Sequence, residues 1–241
     1  LRVEHPQELI NMIQYGRTSD PRLPPADYAL AWNNADSGRS AYSFCMCPGG
    51  EVIAGSSESG GVVTNGMSHL KRESGWANSA LVATVRTGDF ESDSPLAGIR
   101  FQRALEAAAF KLGGGNYKAP AQKIASFLGR SSGGALSSTY RPGIVEAELS
   151  GLFPDVITAT LKGGIADFDR KMRGFITSEA TLIGVESRTS APLRVIRGED
   201  LQSPTVKGLY PCGEGAGYAG GIMSSALDGI RVADTVAKGL Q

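Results

Sequence analysis

Short alternations of apolar and polar residues dominate the first third of the chain. After an apolar stripe with helical spacing at 6–15, strand-like segments separated by turn-forming residues run from 28 to 86. We predict strands at 28–32, 40–46, 51–54, 61–64 and 80–86. The turn signals between them are Asp36-Ser37-Gly38, Pro48-Gly49-Gly50 and Asn65-Gly66. This spacing indicates a β-rich layer built from hairpins.

Helical periodicity replaces this alternation after residue 94. Apolar residues recur at helical spacing before a glycine run that begins at 113, namely Phe101, Leu105, Ala108 and Leu112. We predict further helices at 121–128, at 156–172 with a break at Gly163-Gly164, and at 222–238. Extended segments are predicted at 180–186, 193–197 and 208–212, and an exposed Ser/Gly/Thr-rich loop at 131–143. The chain therefore predicts an α/β protein, of the α+β type within the residues given.

The charge balance argues against partners that are recognised by bulk charge. Lys plus Arg is 24 and Asp plus Glu is 24, so the formal net charge is +0. Nucleic acids and anionic membranes attract an excess of basic residues, so we expect neither as a partner. The chain also has no apolar run near the roughly 20 residues of a membrane-crossing helix.

The cysteines and histidines argue against a disulfide scaffold and against a metal site. Cys45, Cys47 and Cys212 are few and odd in number, which favours a reducing compartment, and we expect a cytoplasmic protein. Only two histidines, His5 and His69, are present, and neither stands at metal-ligand spacing. The chain starts without an initiator Met or a signal-peptide pattern, so we expect it to be the interior of a longer protein.

Glycine is concentrated in the closing segment, where a predicted strand leads through a loop into the last helix. Backbone N–H groups at a helix N-terminus favour negative charge, and glycine lets a flat or charged ligand approach the backbone closely. An acid just beyond the strand accepts hydrogen bonds from sugar hydroxyls in such folds. The candidate binding residues are Gly213, Glu214, Gly217, Tyr218, Gly220, Gly221 and Ile222. Tight packing alone is the alternative interpretation of this loop.

This loop resembles the C-terminal flavin-binding motif of two-domain FAD-dependent oxidoreductases. Other segments are similar to bacterial FAD-dependent dehydrogenases related to BaiN-like and glutathione-reductase-type flavoproteins, at 2–7, 44–50, 63–68, 78–80, 184–192 and 209–221. The resemblance implies FAD as the cofactor, with Gly213 and Glu214 on its ribityl or diphosphate part. It also implies that the N-terminus of the last helix faces the isoalloxazine ring and that NADH or NADPH is a candidate reductant.

One element of such proteins is missing from this sequence. They begin with a strand–GxGxxG–helix unit that holds the ADP half of FAD, whereas Gly113-Gly114-Gly115 ends a predicted helix and Gly49-Gly50 lies in a predicted turn. We therefore expect 1–178 to be a substrate or cap domain and 179–241 to be the C-terminal part of a Rossmann-like FAD-binding domain. The expected partner is the missing N-terminal FAD-binding segment, without which FAD should bind weakly or not at all.

Three residues are candidates for a catalytic role. Cys45 and Cys47 stand beside a predicted tight turn, where they are either a redox-active or substrate-facing edge near the flavin or small buried thiols at a strand end. Arg188 either holds an anionic substrate or stabilises reduced flavin, or it is a solvated domain-interface residue. We expect Cys212 to pack under the glycine loop, and Tyr218 either to cover the flavin ring or to fill the loop.

Two functions remain open from the sequence. The first is an FAD-dependent oxidoreductase, a dehydrogenase that transfers a hydride or electrons between flavin and a small organic substrate. The second is a non-catalytic scaffold domain that binds flavin or another ligand, which the sequence permits because no catalytic acid–base pair stands out. Reduction of the flavin by a nicotinamide cofactor discriminates between them.

Overall fold

A seven-stranded mixed sheet organises the larger of two units into which the chain divides in the computed structural model. Unit 1 consists of Leu1–Arg86 and Arg103–Ser187, and unit 2 consists of Thr87–Gln102 and Arg188–Gln241. The structure describes residues 1–131 and 134–239, so Ser132 and Gly133 of the predicted loop at 131–143 lie outside the described residues. The mixed α+β fold class is confirmed, while the functional assignment of 1–178 and 179–241 stays a prediction.

The strands of unit 1 form one large sheet and a separate hairpin. The sheet contains β1 (Arg2–Pro6), β2 (Ala31–Asn33), β3 (Ser40–Cys47), β6 (Trp76–Ala83), β7 (Ala119–Lys123), β8 (Ile144–Glu146) and β9 (Thr181–Ile183). The hairpin contains β4 (Gly50–Ala54) and β5 (Thr64–Ser68). The order in the sheet is β2-β3-β6-β1-β9-β7-β8, and all neighbours are antiparallel except β7 and β8.

Within the part of the chain that the structure describes, five helices complete the fold. They are α1 (Gln7–Tyr15), α2 (Ala97–Leu112), α3 (Ile124–Phe127), α4 (Asp155–Lys171) and α5 (Ile222–Gly239), with short 3-10 helices at Thr87–Asp89 and Ser150–Leu152. The predicted helices at 6–15 and 222–238 are confirmed, and the first of these ends at Gly16 in a left-handed conformation. No helix within the described residues combines the length and the apolar character that a bilayer crossing needs.

Strand β1 lies at the centre of the sheet and sends its side chains to two different environments. His5 packs in an aromatic cluster, with its ring centroid 4.7 Å from that of Phe175, and Tyr28 and Phe168 meet Phe175 edge-on at 5.8 Å. Because side chains alternate along a strand, Arg2 faces away from this cluster. A polar cluster is therefore built on the opposite face of the sheet.

Several predicted strands have different bounds. The predicted strand at 28–32 forms only from Ala31, and the one at 80–86 begins earlier, at Trp76, because the polar residues Asn78 and Ser79 are fully buried and paired in the sheet. Strand β1 was not predicted. The predicted strand at 61–64 is wrong because β5 begins only at Thr64. The predicted turn at Asn65-Gly66 is wrong because both residues lie inside β5.

Two helix predictions also need correction. The helix predicted at 121–128 is present only as α3, Ile124–Phe127, while 119–123 forms the buried strand β7 between β9 and β8. Burial between two neighbouring strands outweighs helical propensity there. Helix α4 runs through Gly163-Gly164 without a break. These glycines serve packing, since a Cβ atom at Gly163 would lie 2.5 Å from the Trp32 ring and one at Gly164 would lie 2.4 Å from Cβ of Ala41.

Unit 2 contains α5 and the first residues of α2, but its described residues form no strand. The predicted extended segments at 193–197 and 208–212 are therefore not strands. A strand requires a neighbour that accepts and donates its backbone hydrogen bonds. The backbone of Leu209 instead bonds within a turn, to Val206 and Ser203.

Candidate functional site

Arg2 is the centre of a buried polar cluster in unit 1. Its side chain is fully buried, and its Nε donates to Oδ1 of Asn78 at 2.8 Å. Nη1 donates to both carboxylate oxygens of Glu186, each at 3.0 Å. Nη2 donates to the carbonyl oxygen of Cys45 at 2.8 Å and to Sγ of Cys47 at 3.3 Å. All five guanidinium N–H donors thus have acceptors, which makes Arg2 an internal crosslink.

The local backbone makes room for this arginine. A Cβ atom at Gly66 would lie 1.7 Å from Nη2 of Arg2 and 2.2 Å from Oδ1 of Asn78, so only glycine lets β5 pass over the guanidinium group. The register of β3 on β6 shifts between Phe44 and Cys47, and Cys45 has a φ of +42°. This bulge turns the Cys45 carbonyl toward Arg2.

Burial and the arginine charge act in opposite directions on the acidic members of this cluster. Burial raises the pKa of Glu186, and the neighbouring Arg2 guanidinium opposes that rise. Burial likewise raises the pKa of the Cys47 thiol, again against the pull of Arg2. Cys47 is therefore a thiol in the resting structure, and it donates to the Cys45 carbonyl oxygen at 3.3 Å.

A second buried carboxylate lies two residues from Arg2. The Glu4 side chain accepts hydrogen bonds from the backbone N–H of Thr139, at 3.2 Å, and from its hydroxyl group. Burial raises the pKa of Glu4. The same hydroxyl oxygen accepts the backbone N–H of Val52 at 2.7 Å, so the segment around 139 joins the β4–β5 hairpin to the central strand.

The glycine loop of unit 2 is anchored by a second ion pair. Arg197 contacts Asp228 of α5 in a bidentate pair, with Nη2–Oδ1 at 2.7 Å and Nη1–Oδ2 at 2.9 Å. Oδ2 of Asp228 also accepts the backbone N–H of Gly213 at 2.9 Å. These hydrogen bonds lower the pKa of Asp228 to about 2. The start of the loop is therefore fixed to the body of α5.

Tyr218 holds the middle of the loop against the segment 193–197. The Arg197 guanidinium lies 3.7 Å from the Tyr218 ring centroid, and the Tyr218 hydroxyl donates to the carbonyl oxygen of Val195 at 3.0 Å. Gly217 has a φ of +82°, and a Cβ atom there would lie 2.4 Å from the carbonyl oxygen of Leu193. The Tyr218 side chain thus packs within its own unit.

The outer part of the loop is open. A Cβ atom added at Gly215 or at Gly220 would meet no heavy atom within 4 Å. The Glu214 side chain is half-buried, and no described residue donates a hydrogen bond to its carboxylate. Gly221 is bonded to Ser224, its backbone N–H donating to the Ser224 hydroxyl at 3.1 Å. Side chains of the loop itself do not fill the space before Ile222.

The structure places the sequence-derived candidates in two groups. Cys45 and Cys47 lie together on Arg2 in unit 1, exposed and half-buried respectively. Arg188 is exposed and belongs to unit 2, together with the glycine loop. Cys212 was expected beneath the loop, but it is exposed, and the group next to it that bonds to α5 is the backbone N–H of Gly213.

The sequence analysis did not identify the residues that form the ion pairs of the two units. Arg2, Glu186 and Arg197 were not identified as partners, although a charged residue inside an apolar, strand-like segment is itself a signal that a buried partner exists. Gly66 was interpreted as a turn residue. Within the described residues, no group of three or more His, Cys, Asp or Glu side chains is arranged to hold a metal ion.

Unit 1 is thus an α+β fold with a buried polar cluster around Arg2, and unit 2 contains an open glycine loop before the last helix. Residues 1–189 match the model of the family described as FAD-dependent protein, C-terminal domain-like, and the chain belongs to this family. It is also 50% identical, over 240 residues, to an uncharacterized protein of Clostridium beijerinckii. That match covers 98% of this chain and 45% of the relative, so the chain spans less than half the length of this relative.

Proposed function

We propose that the full-length protein holds FAD at the glycine loop of unit 2 and is an oxidoreductase. The observation that carries this proposal is the open backbone at Gly215 and Gly220, directly before the N-terminus of α5. Open space beside a backbone segment without side chains lets a ligand approach the backbone closely. Because this segment lies at the positive end of a helix dipole, it suits a diphosphate group or the edge of a flavin ring. Membership of an FAD-dependent family supports flavin as the ligand.

Seven residues would hold the cofactor in this proposal. The Glu214 carboxylate, which has no donor among the described residues, would accept hydrogen bonds from sugar hydroxyls. The N-terminus of α5 would favour negative charge on the reduced ring. Tyr218 and Gly217 would keep the loop in its bound shape. The full set is Gly213, Glu214, Gly217, Tyr218, Gly220, Gly221 and Ile222.

The reacting residues proposed for this enzyme are Cys45, Cys47 and Arg188. FAD, when bound, accepts and returns a hydride or an electron pair. The exposed Cys45 thiol is accessible to a small organic substrate, and the Arg188 charge would attract an anionic one. NADH or NADPH is the proposed reductant. We also propose that the protein is related to the BaiN-like dehydrogenases.

The remaining part of the polypeptide is the proposed partner of this chain. One side of α5 forms an exposed apolar stripe, with exposed fractions of 86% at Ile222 and 59% at Ile230. The stripe consists of Ile222, Ala226, Ile230, Ala233 and Ala237. Exposed apolar stripes of this kind mark interaction surfaces. The relative from Clostridium beijerinckii has more than half of its length outside the matched region. An N-terminal FAD-binding segment would cover this stripe.

Anaerobic reduction of the full-length protein tests the oxidoreductase. We expect the purified protein to show the absorbance of bound flavin and to lose it when NADH or NADPH is added without oxygen. Bound flavin that neither nicotinamide bleaches would instead support the scaffold function. The observation that favours the scaffold is that Arg2, Glu186, Arg197 and Asp228 are all bonded internally.

A matched pair of variants tests the cofactor site itself. Glu214→Ala in the full-length protein should lower its flavin content, because the proposed acceptor for sugar hydroxyls is lost. Glu199→Ala is the control, since Glu199 is exposed in the same unit and no described residue bonds to its side chain. Equal flavin content in the two variants would contradict the assignment of Glu214.

A further inference from the structure

The bulge in β3 takes Cys45 out of the regular ladder directly before Cys47. Phe44 pairs with Ala80 and Cys47 pairs with Asn78, so Cys45 and Met46 together stand opposite a single residue. Cys45 has a φ of +42°, which is uncommon for any residue other than glycine. Bulges re-aim side chains and occur next to active sites. Cys45 therefore lies in the bulge, and Cys47 is the first residue of β3 to pair with β6 after it.

A single nitrogen atom connects both cysteines. Nη2 of Arg2 donates to the Cys45 carbonyl oxygen at 2.8 Å and to Cys47 Sγ at 3.3 Å. Cys47 Sγ also lies 3.3 Å from that same carbonyl oxygen, so its side chain is folded back onto the Cys45 backbone. Glu186 holds Arg2 in place from the other side, at 3.0 Å. The cluster thus fixes the position of one thiol relative to the residue that carries the other.

The two thiols differ in access. Cys45 is exposed, whereas Cys47 is half-buried against Arg2. An exposed thiol beside a sheltered second thiol is the arrangement of an attacking and a resolving cysteine. The buried amide nitrogen of Asn78, which has no hydrogen-bond partner, belongs to the residue paired with Cys47 and adds an unused donor to this cluster.

We propose that Cys45 and Cys47 are a dithiol–disulfide couple that exchanges an electron pair with a low-molecular-weight disulfide. The Cys45 thiolate attacks one sulfur of the disulfide R–S–S–R, forms a mixed disulfide and releases RS⁻. Cys47 then attacks the Cys45 sulfur, forms the protein disulfide and releases a second RS⁻. The two thiol protons of the protein end on two RSH molecules, and the electron pair passes from the protein sulfurs to the small disulfide.

Arg2 is a positioning residue in this exchange. Its Nη2–H, 3.3 Å from Cys47 Sγ, stabilises the thiolate that must form when Cys47 resolves the mixed disulfide. Ring closure between residues two apart strains a disulfide, and strained disulfides are more easily reduced. The product is therefore suited to reversible exchange and not to permanent crosslinking.

Alkylation in glutathione buffers tests the couple in the full-length protein. The protein is equilibrated with reduced and oxidised glutathione at a series of ratios, quenched with N-ethylmaleimide and digested with trypsin. Cleavage after Arg39 and Lys71 leaves both cysteines in one peptide, 40–71, while Cys212 falls in peptide 208–231. Cys212 is thus an internal control in the same sample.

We expect peptide 40–71 to change from two maleimide groups to none over one range of glutathione ratios, with no glutathione attached, while Cys212 shows no coupled change. In Cys47→Ser we expect glutathione to remain on Cys45, because the resolving thiol is missing. Any one of three results would overturn the proposal. They are two maleimide groups at every ratio, stable glutathione on both cysteines of the wild-type protein, and a Cys45–Cys212 disulfide bond. The exchange needs no flavin, so flavin content measured on the same sample separates this result from the fate of the proposed FAD site.

Discussion

At the scale of single residues, Gly66 decides whether the buried arginine fits. A methyl group at this position would lie 1.7 Å from Nη2 of Arg2, inside an ion pair whose arginine has no room to move. We expect Gly66→Ala to lower the free energy of unfolding by about 3 kcal/mol, the cost typical of breaking a buried ion pair. Urea denaturation measures this change.

Gly151→Ala is the matched control for that variant. Gly151 has an ordinary φ, and a Cβ atom there would meet nothing within 4 Å. Its free energy of unfolding should stay within about 0.5 kcal/mol of the wild-type value. If Gly66→Ala were as stable as Gly151→Ala, the packing of β5 on Arg2 would be wrong.

His5 should make stability depend on pH. Burial lowers the pKa of His5 to about 4, while its Nε2 contacts the carbonyl oxygen of Phe175 at 2.8 Å. Between pH 6.5 and 4 the unfolded chain binds a proton that the folded chain does not, so the free energy of unfolding falls as the pH falls through this window. The contribution of His5 is full above pH 6.5 and amounts to about 3 kcal/mol.

Comparison with His5→Asn isolates this contribution. The amide of asparagine does not titrate, so the difference between the two pH profiles should appear only between pH 6.5 and 4 and should follow one proton. Chemical denaturation at several pH values measures it. Parallel profiles of wild type and variant across that window would show that His5 is protonated as readily in the folded chain as in the unfolded one.

Candidate functional residues could be predicted from the sequence where they form a pattern with their neighbours along the chain. Cys45, Cys47 and the glycine loop stand out in the sequence because each is a local pattern. The role of Arg2 did not stand out, since its acceptors are 43 to 184 positions away along the chain. Only the sheet register brings them together, and register is fixed by long-range pairing.

At the scale of elements, α4 illustrates why a glycine pair does not end a helix. Gly164 faces Ala41 of β3, and an added Cβ atom would lie 2.4 Å from Cβ of Ala41. We expect Gly164→Ala to be destabilising by about 1–3 kcal/mol through overpacking, although alanine has the better helix propensity by roughly 1 kcal/mol. Thermal or urea unfolding measures the change.

The double variant Gly164→Ala/Ala41→Gly provides the control. Removing the Ala41 methyl group frees the space that the new methyl group needs, so the pair should recover part of the lost stability and show a favourable coupling energy. Simple additivity of the two single substitutions would contradict the close contact of α4 with β3.

Element types were predicted well where periodicity decides and poorly where burial decides. The helix at 222–238 has a clear apolar stripe and is present. Segment 119–123 has no β-branched residue but lies fully buried between two strands, so tertiary pairing overrides its propensity. The predicted strand at 208–212 does not form, because the described part of unit 2 contains no strand with which it could pair.

At the scale of the whole molecule, the exposed stripe of α5 is the surface on which we propose that the remaining polypeptide packs. Ile230 lies at the centre of the stripe and is 59% exposed. If the remaining polypeptide covers it, Ile230→Lys should lower the free energy of unfolding of the full-length protein by about 2 kcal/mol, because a lysine replaces a buried isoleucine. Thermal unfolding of the full-length protein measures the loss.

Arg231→Lys is the matched control, since it places the same side chain one position along α5 and outside the stripe. It should leave the free energy of unfolding within about 0.5 kcal/mol of wild type. Equal stability of Ile230→Lys and Arg231→Lys would mean that the stripe faces solvent in the full-length protein as well.

The central claim is that the open glycine loop of unit 2 receives FAD, and flavin content of two full-length variants tests it most directly. Gly220→Val and Gly88→Val each add a side chain whose Cβ atom would meet nothing within 4 Å in unit 2, so neither should disturb the fold. Valine at 220 would occupy the proposed approach of the cofactor, whereas valine at 88 would not. We predict that Gly220→Val is purified with little or no FAD and Gly88→Val with as much as wild type. Full FAD content in a folded Gly220→Val protein would contradict the claim.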